Sequence, residues 1–126
     1  MARLLLDTHT VLWWLTDPDE LHRDAFQSIE SQQNEVFVSS VSGWEIAVKR
    51  ALGKLKAPDN LEAAVKEQDF IPLNLTFLHA EQAGALPPHH GDPFDRMLIA
   101  QAQVEGLILV TRDIRIPHYG IRTMSA

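Results

Sequence analysis

The 126-residue sequence contains no cysteine. This excludes disulfide frameworks, thiol nucleophiles and Cys-ligated zinc or iron–sulfur centres, and it accords with a reducing compartment. Long apolar runs are also missing: the longest is Val11 to Leu15, against the ~20 residues that span a bilayer. The opening MARLLLDTHTVLWWL is interrupted by Asp7 and His9, and no small-residue cleavage site follows, so it reads as folded chain and not as a secretory signal. Positive charge is in deficit, with 11 Lys and Arg against 17 Asp and Glu and a formal charge of −6. That balance excludes a protein that coats nucleic acid through many phosphate contacts. Apolar residues at 45% and charged residues at 22% are globular proportions. There is no repeat and no linker, so residues 1–126 are expected to form one domain of a cytoplasmic protein without membrane association. A chain of this size buries roughly two-thirds of its unfolded surface.

Short apolar runs at Arg3–Leu6, Val36–Val38, Phe70–Leu73, Leu107–Val110 and Ile121–Met124 read as buried strands. Helical patterns lie between them. Thr8–Leu15 is closed by Asp17-Pro18, because a residue before proline is pushed out of the helical region. Asp19 reads as the cap of a helix from Glu20 to about Gln33, with Leu21, Ala25 and Ile29 on one face. Ser42 and Glu45 have capping-box spacing for a helix that runs to Gly53. Asn60–Gln68, Thr76–Ala85 and Pro93–Glu105 complete the set, the last with proline in its first turn and Gly106 behind it. Strands alternating with helices predict a three-layer α/β/α domain around a mostly parallel sheet.

Ligands of open parallel sheets bind beyond the carboxyl ends of the strands, and four acids map to that edge. Asp7 ends the first strand, Glu45 lies in the first turn of the helix after the second, Asp95 opens the helix after the proline-rich loop, and Asp113 follows the strand Leu107–Val110. Two carboxylates ~4 Å apart repel by roughly 4 kcal/mol at an effective dielectric of 20, so a cluster of four calls for protons or a cation. Oxygen-only ligands suit Mg²⁺ or Mn²⁺, which bridge to phosphate and activate water. Acids at helix starts also answer the macrodipole, so spacing alone leaves a capping role open.

Other residues near this edge carry two readings each. Thr8 and Thr111 can hydrogen-bond a site carboxylate or serve as local caps. Asp92 reads as the cap of the helix begun at Pro93, with an outer acid as the alternative. Lys49, four residues after Glu45, forms a helix-surface pair or steadies a carboxylate or phosphate. Arg50, Arg96 and Arg112 are candidate cations for a local nucleic-acid track. Ser42 reads as a cap, and no G-x-S-x-G turn supports a serine nucleophile. The six histidines lack H-E-x-x-H or zinc-finger spacing. His89-His90 reads mainly as a solvated loop pair with a substrate contact as the alternative. Trp13, Trp14 and Trp44 have faces on which a base can stack, but Trp14 and Trp44 at helical positions read as core or interface residues, and none is assigned to substrate.

LLLDTHTVLWWL, SSVSGWEIAVKRALGKL and HHGDPFDRMLIAQAQVEGLILVTRD, in that order and followed by a short final strand, resemble a PIN domain. The similarity is to the toxin subunit of bacterial VapBC toxin–antitoxin pairs in particular, and it spans nearly the whole chain. It implies a metal-dependent endoribonuclease, with Asp7 and Asp95 as principal ligands of Mg²⁺ or Mn²⁺ and Glu45 and Asp113 completing the site directly or through water. It further implies a small cognate antitoxin that blocks the acidic groove, and a homodimer. A Mg-dependent phosphatase or other nuclease is the enzymatic alternative, although Asp7-Thr8-His9 lacks the D-x-D pair of such phosphatases. A noncatalytic protein-interaction domain, with the acids as mere caps, is the other. Setting the four acids aside leaves 13 acidic against 11 basic residues of the original 17 and 11, so most of the excess negative charge belongs to the acidic centre.

Overall fold

The computed structural model describes residues 1–126. Strands β1 (Arg3–Leu6), β2 (Glu35–Ser39), β3 (Ile71–Leu73), β4 (Ile108–Thr111) and β5 (Thr123–Ser125) form one sheet in the order β3-β2-β1-β4-β5. Every neighbouring pair is parallel, so successive strands must be joined by crossovers, which carry most of the helices. These are α1 (Thr8–Thr16), α2 (Arg23–Glu30), α3 (Ser40–Ala51), α4 (Leu61–Glu67), α5 (Phe77–Ala85) and α6 (Pro93–Glu105). None is long and apolar enough to cross a membrane.

The two-residue period of the strands divides the interior. Leu4, Leu6, Val36, Val38 and Val110 face one side and pack with Val11, Ala25, Ile29 and Val65 of α1, α2 and α4. Leu5, Phe37 and Leu109 face the other and pack with Ala83, Leu98, Ile99 and Ala102 of α5 and α6. Helix α3 contributes to both clusters, Ile46 to the first and Val41 to the second. Central strand β1 is covered on both faces, and Leu4, Leu5 and Leu6 have no exposed surface. The apolar run of β1 is therefore continuous and not alternating, as a doubly covered parallel strand requires.

The chain proceeds from β1 outward through β2 and β3, then returns to add β4 and β5 on the other side of β1. The topological switch thus falls between β1 and β4, where the loops at the carboxyl ends diverge and open a crevice. Asp7 follows β1 and Asp113 follows β4, one on each side of it.

The three-layer architecture agrees with the sequence pattern, and so do α6 with its left-handed Gly106 cap (φ 68°) and α5 with its Thr76 cap. Two local expectations are corrected. The long helix Glu20–Gln33 is divided into a 3₁₀ turn, Pro18–Glu20, and the shorter α2. Asp19 lies inside that turn and caps nothing, while His22 precedes α2 without a side-chain cap. Leu21 is extended between them and buries its side chain, so tertiary packing overrides the helical period. The cap of α3 is Ser39, whose Oγ accepts from the Val41 amide at 3.0 Å. Helix α3 begins directly at the end of β2, leaving Ser42 inside the helix and fully buried.

Leu5→Ala removes a side chain with no exposed surface from the sheet centre and is expected to cost about 2–5 kcal/mol, read from the midpoint of urea denaturation at unchanged slope.

Candidate active site and metal centre

Asp7 is the N-cap of α1. Its Oδ1 accepts from the Thr10 amide at 2.9 Å and the Thr10 hydroxyl at 2.6 Å. Its Oδ2 accepts from the Thr111 hydroxyl at 2.6 Å. The Thr111 oxygen in turn accepts from the Asp113 amide at 3.1 Å, so one threonine ties the two sides of the crevice together. The buried Asp7 carboxylate thus has neutral donors only, and no lysine or arginine reaches it.

Glu45 is buried on α3 and is held from two directions. Thr8 donates its hydroxyl to Oε1 at 2.6 Å, and Lys49 donates to Oε2 at 2.6 Å. Thr8 has a single proton, so the 3.0 Å contact between its oxygen and Ser42 has Ser42 as donor. Ser42 Oγ, Thr8 Oγ1 and Glu45 therefore form a directed chain. The Glu45 carboxylate raises the Lys49 pKa above its ordinary value through that hydrogen bond. Both readings of Lys49 apply at once, since the helix-surface pair is what steadies the carboxylate.

Asp92 caps α6, its Oδ1 accepting from the Phe94 amide at 2.8 Å. Asp95 stands in the first turn of that helix. Its carboxyl is pushed up to about 7, first by burial and then by the charges of Asp92 and Asp7, with Glu45 adding to them and His90 opposing. Asp7, Glu45 and Asp92 are therefore within electrostatic reach of Asp95. Asp113 is displaced the other way, well below the usual carboxylate range, chiefly because Arg115 donates to it. Arg115 Nε and Nη2 reach the two oxygens at 3.1 and 2.9 Å.

His90 links these two acids. Its ring is buried, and Nδ1 accepts from the Asp92 amide at 3.0 Å. That fixes the proton on Nε2, which lies 3.0 Å from Asp95 Oδ2 and 2.8 Å from Asp113 Oδ2. His90, Asp95 and Asp113 each present one ligand atom within 4.8 Å of the others. Asp7 and Glu45 stand outside this compact group and approach Asp95 from the β1 and α3 side. The expectation of a solvated His89-His90 pair holds for exposed His89 and fails for His90. A local signal for His90 lay in its position two residues before the Asp92 cap, while its reach to Asp113 comes only with folding. Arg115, two residues after Asp113, was a second signal in the sequence.

The three arginine candidates for RNA are otherwise engaged. Arg96 donates to the carbonyls of Ala83, Leu86, Pro87 and His90 at 2.8–3.4 Å. It closes the end of α5 and straps the Pro87–His90 loop to α6, a favourable place for a cation. Tyr119 secures the same loop, accepting from the His90 amide at 2.8 Å and donating to the Pro87 carbonyl at 2.9 Å. Arg112 stacks 4.2 Å over Trp13 and donates to the Ala126 carbonyl. Arg50 donates to the Pro58 carbonyl. Backbone carbonyls won these guanidiniums because a planar five-donor group can satisfy several of them at once. Trp14 packs beside Phe26 and Phe70 as expected, whereas Trp44 is 60% exposed and meets Phe94 edge-on.

The donor set fits a hard divalent cation. Asp7 has no cationic partner, Glu45 has one lysine, and Asp95 keeps its proton to about pH 7 through burial and a surplus of neighbouring negative charge. A cation relieves that surplus, and carboxylate oxygens are its preferred ligands.

Because the Asp95 pKa is raised on folding, its contribution is fully present below the ordinary value of 3.8 and is lost as pH rises through about 7. Without divalent ions, stability is expected to fall between about pH 4 and 7 by a component that Asp95→Asn removes, as measured by denaturant midpoints across pH. Added divalent cation should restore the wild-type loss. For His90→Ala, release of Asp95 and Asp113 from their shared donor predicts a weaker Mn²⁺ affinity, roughly 10- to 100-fold as for other residues that orient ligands, read by calorimetry.

Residues 4–121 match the PIN domain family. The chain is 33% identical over 124 residues to Ribonuclease VapC22 of Mycobacterium tuberculosis, covering 92% of this chain and 91% of that protein. Among solved structures, DNA-bound VapBC from Salmonella typhimurium superposes with a TM-score of 0.69 at 24% identity, covering 98% of each chain. VapBC2 from Rickettsia felis, bound to a DNA fragment from its promoter, gives 0.71 at 13% identity over 97% of each. At these identities the structural likeness speaks for the fold. The family match and the VapC22 relative cover most of the sequence, and the chain is a member of the PIN domain family.

Proposed function

We propose that this protein is a divalent-metal-dependent endoribonuclease, the toxin of a type II toxin–antitoxin pair, and that Asp7, Glu45, Asp95 and Asp113 form its catalytic centre. The observation that carries the reading is the convergence of these acids on the switch-point crevice, where burial and then the surrounding carboxylates push the Asp95 carboxyl up to about 7. The relative named Ribonuclease VapC22 supports the same chemistry. The chain's similarity to solved VapBC complexes and to a toxin–antitoxin complex from Klebsiella pneumoniae supports the antitoxin as partner. A homodimer and a cytoplasmic location, where RNA and antitoxin meet, belong to this proposal.

Asp7 and Asp95 would hold the cation, Mg²⁺ or Mn²⁺, and Glu45 would complete its surroundings. When bound, the ion supplies Lewis acidity, activating water at neutral pH and drawing charge from the scissile phosphate. The protein supplies fixed geometry. Thr10 and Thr111 aim both oxygens of Asp7, Thr8 and Lys49 aim those of Glu45, and His90 couples Asp95 to Asp113. Asp113 is already paired with Arg115 and His90, which suits an orienting role in place of direct ligation. The short hydrogen bonds keep the mutually repelling carboxylates from turning away from one another, so little reorganisation remains when substrate arrives.

Purified protein freed of antitoxin should cleave RNA with Mg²⁺ or Mn²⁺ and stop with chelator. Asp7→Asn and Asp95→Asn should each lower the rate at least about 100-fold, the scale on which a preorganised charge-stabilising group acts, while retaining the folded circular dichroism. Cleavage that survives both substitutions would remove the proposed centre. Turnover of a phosphate monoester with RNA left intact would point to a phosphatase instead. Co-expression with the small protein encoded beside the toxin should relieve growth arrest.

A further inference from the structure

The surface immediately beside the carboxylates is aromatic. Trp44 directly precedes Glu45 on α3, and Phe94 directly precedes Asp95 on α6. The two rings meet edge to face with centroids 4.9 Å apart and planes at 71°. Phe94 is half-buried and anchored in the core cluster beneath α6. Trp44 lies over its edge with 60% of its surface exposed, although a tryptophan at a helical position ordinarily packs inward. The Thr8–Ser42–Glu45 network turns the opposite side of this helix toward the interior, and Trp44 is left pointing outward at the rim of the site.

The cations nearest the site are each already held by a protein partner. Arg50, Arg96 and Arg112 donate to backbone carbonyls, Lys49 is bound to Glu45, and Arg115 is bound to Asp113. The Trp44–Phe94 step is an uncharged feature contiguous with the carboxylates that can hold a nucleotide. A nucleobase is uncharged, so it can approach the acidic rim without repulsion, and its π-face matches an exposed indole. Single-strand binding proteins hold successive bases in this way without reading their sequence.

We propose that Trp44, buttressed by Phe94, is a substrate-binding residue on which a base next to the scissile phosphate stacks. The inference rests on the ribonuclease reading of the same site. The scissile phosphate is then placed against the carboxylate centre by a neighbouring base.

The test compares wild type, Trp44→Leu and Trp44→Phe on a single-stranded oligoribonucleotide. Trp44→Leu should raise KM roughly 10-fold, the scale of one lost stacking contact, with a smaller change in kcat. Trp44→Phe should keep most of the affinity, and Mn²⁺ affinity should be the same in all three. With Ca²⁺ in place of the catalytic ion, the single strand should quench tryptophan emission of the wild type and of Trp13→Phe but not of Trp44→Leu. A strand of the same length made of abasic ribose phosphate should bind wild type and Trp44→Leu alike. Unchanged KM and unchanged quenching in Trp44→Leu, while the wild type cleaves RNA, would overturn the stacking role and leave the ribonuclease standing. Loss of antitoxin capture alone in Trp44→Leu would overturn it too, by making the step a protein-docking feature. A wild type that neither cleaves nor binds RNA would remove the ribonuclease reading and this inference with it.

Discussion

Mutual repulsion among carboxylates at one sheet edge is the constraint to which the rest of this structure answers. Asp7, Glu45, Asp92 and Asp95 converge where β1 and β4 part, and Asp95 keeps its proton to about pH 7 because burial and its neighbours oppose its charge. Folding therefore works against this corner of the molecule. The two apolar layers on either side of the sheet supply the opposing free energy. Catalytic centres commonly concentrate such electrostatic cost, since the same field that opposes the empty carboxylates favours a divalent ion.

Different donors restrain the two halves of the crevice. On the β1 side the donors are threonine hydroxyls, the Thr10 amide and one lysine, which fix oxygen positions while leaving Asp7 without a cationic partner. On the β4 side Arg115 and His90 bind Asp113 directly and largely neutralise it. The four acids are thus not equivalent, and the charge a cation would meet is concentrated on Asp7, Glu45 and Asp95. His90 sits at the boundary with its tautomer set by the Asp92 amide, so the cap of α6 also orients the link between the two halves.

Arginine has an unexpected part in this arrangement. An acidic chain with few bases would be expected to direct each guanidinium to substrate, yet Arg96 holds four carbonyls and Arg112 bridges Trp13 and the Ala126 carbonyl. The loop that carries His90 contains two prolines and has little regular backbone bonding of its own. Arg96 and Tyr119 provide the missing partners, and they thereby hold His90 against Asp95.

Much of the layout was legible in the sequence, because strand and helix periods, proline stops and glycine caps are local. The α/β alternation, the extent of α6 and the placement of Asp7, Asp95 and Asp113 at strand and helix ends all follow from such signals, whereas Glu45, expected in the first turn of its helix, stands in the middle of α3 because that helix begins at Ser40. The pairings that give each acid its character were not legible. Thr111 lies 104 residues from Asp7, Thr8 lies 37 from Glu45, and His90 lies 23 from Asp113. Each becomes a neighbour only when parallel strands are brought into register. Ser42 met a local capping pattern that the fold overrode, and Trp44, for which the helical position allowed core packing, stands outside the core of this chain. The sequence by itself determined which residue types would stand at the carboxyl edge of the sheet. Tertiary structure alone decided which of them keep their charge, which are paired, and which face solvent, because burial and donors from distant strands set those properties.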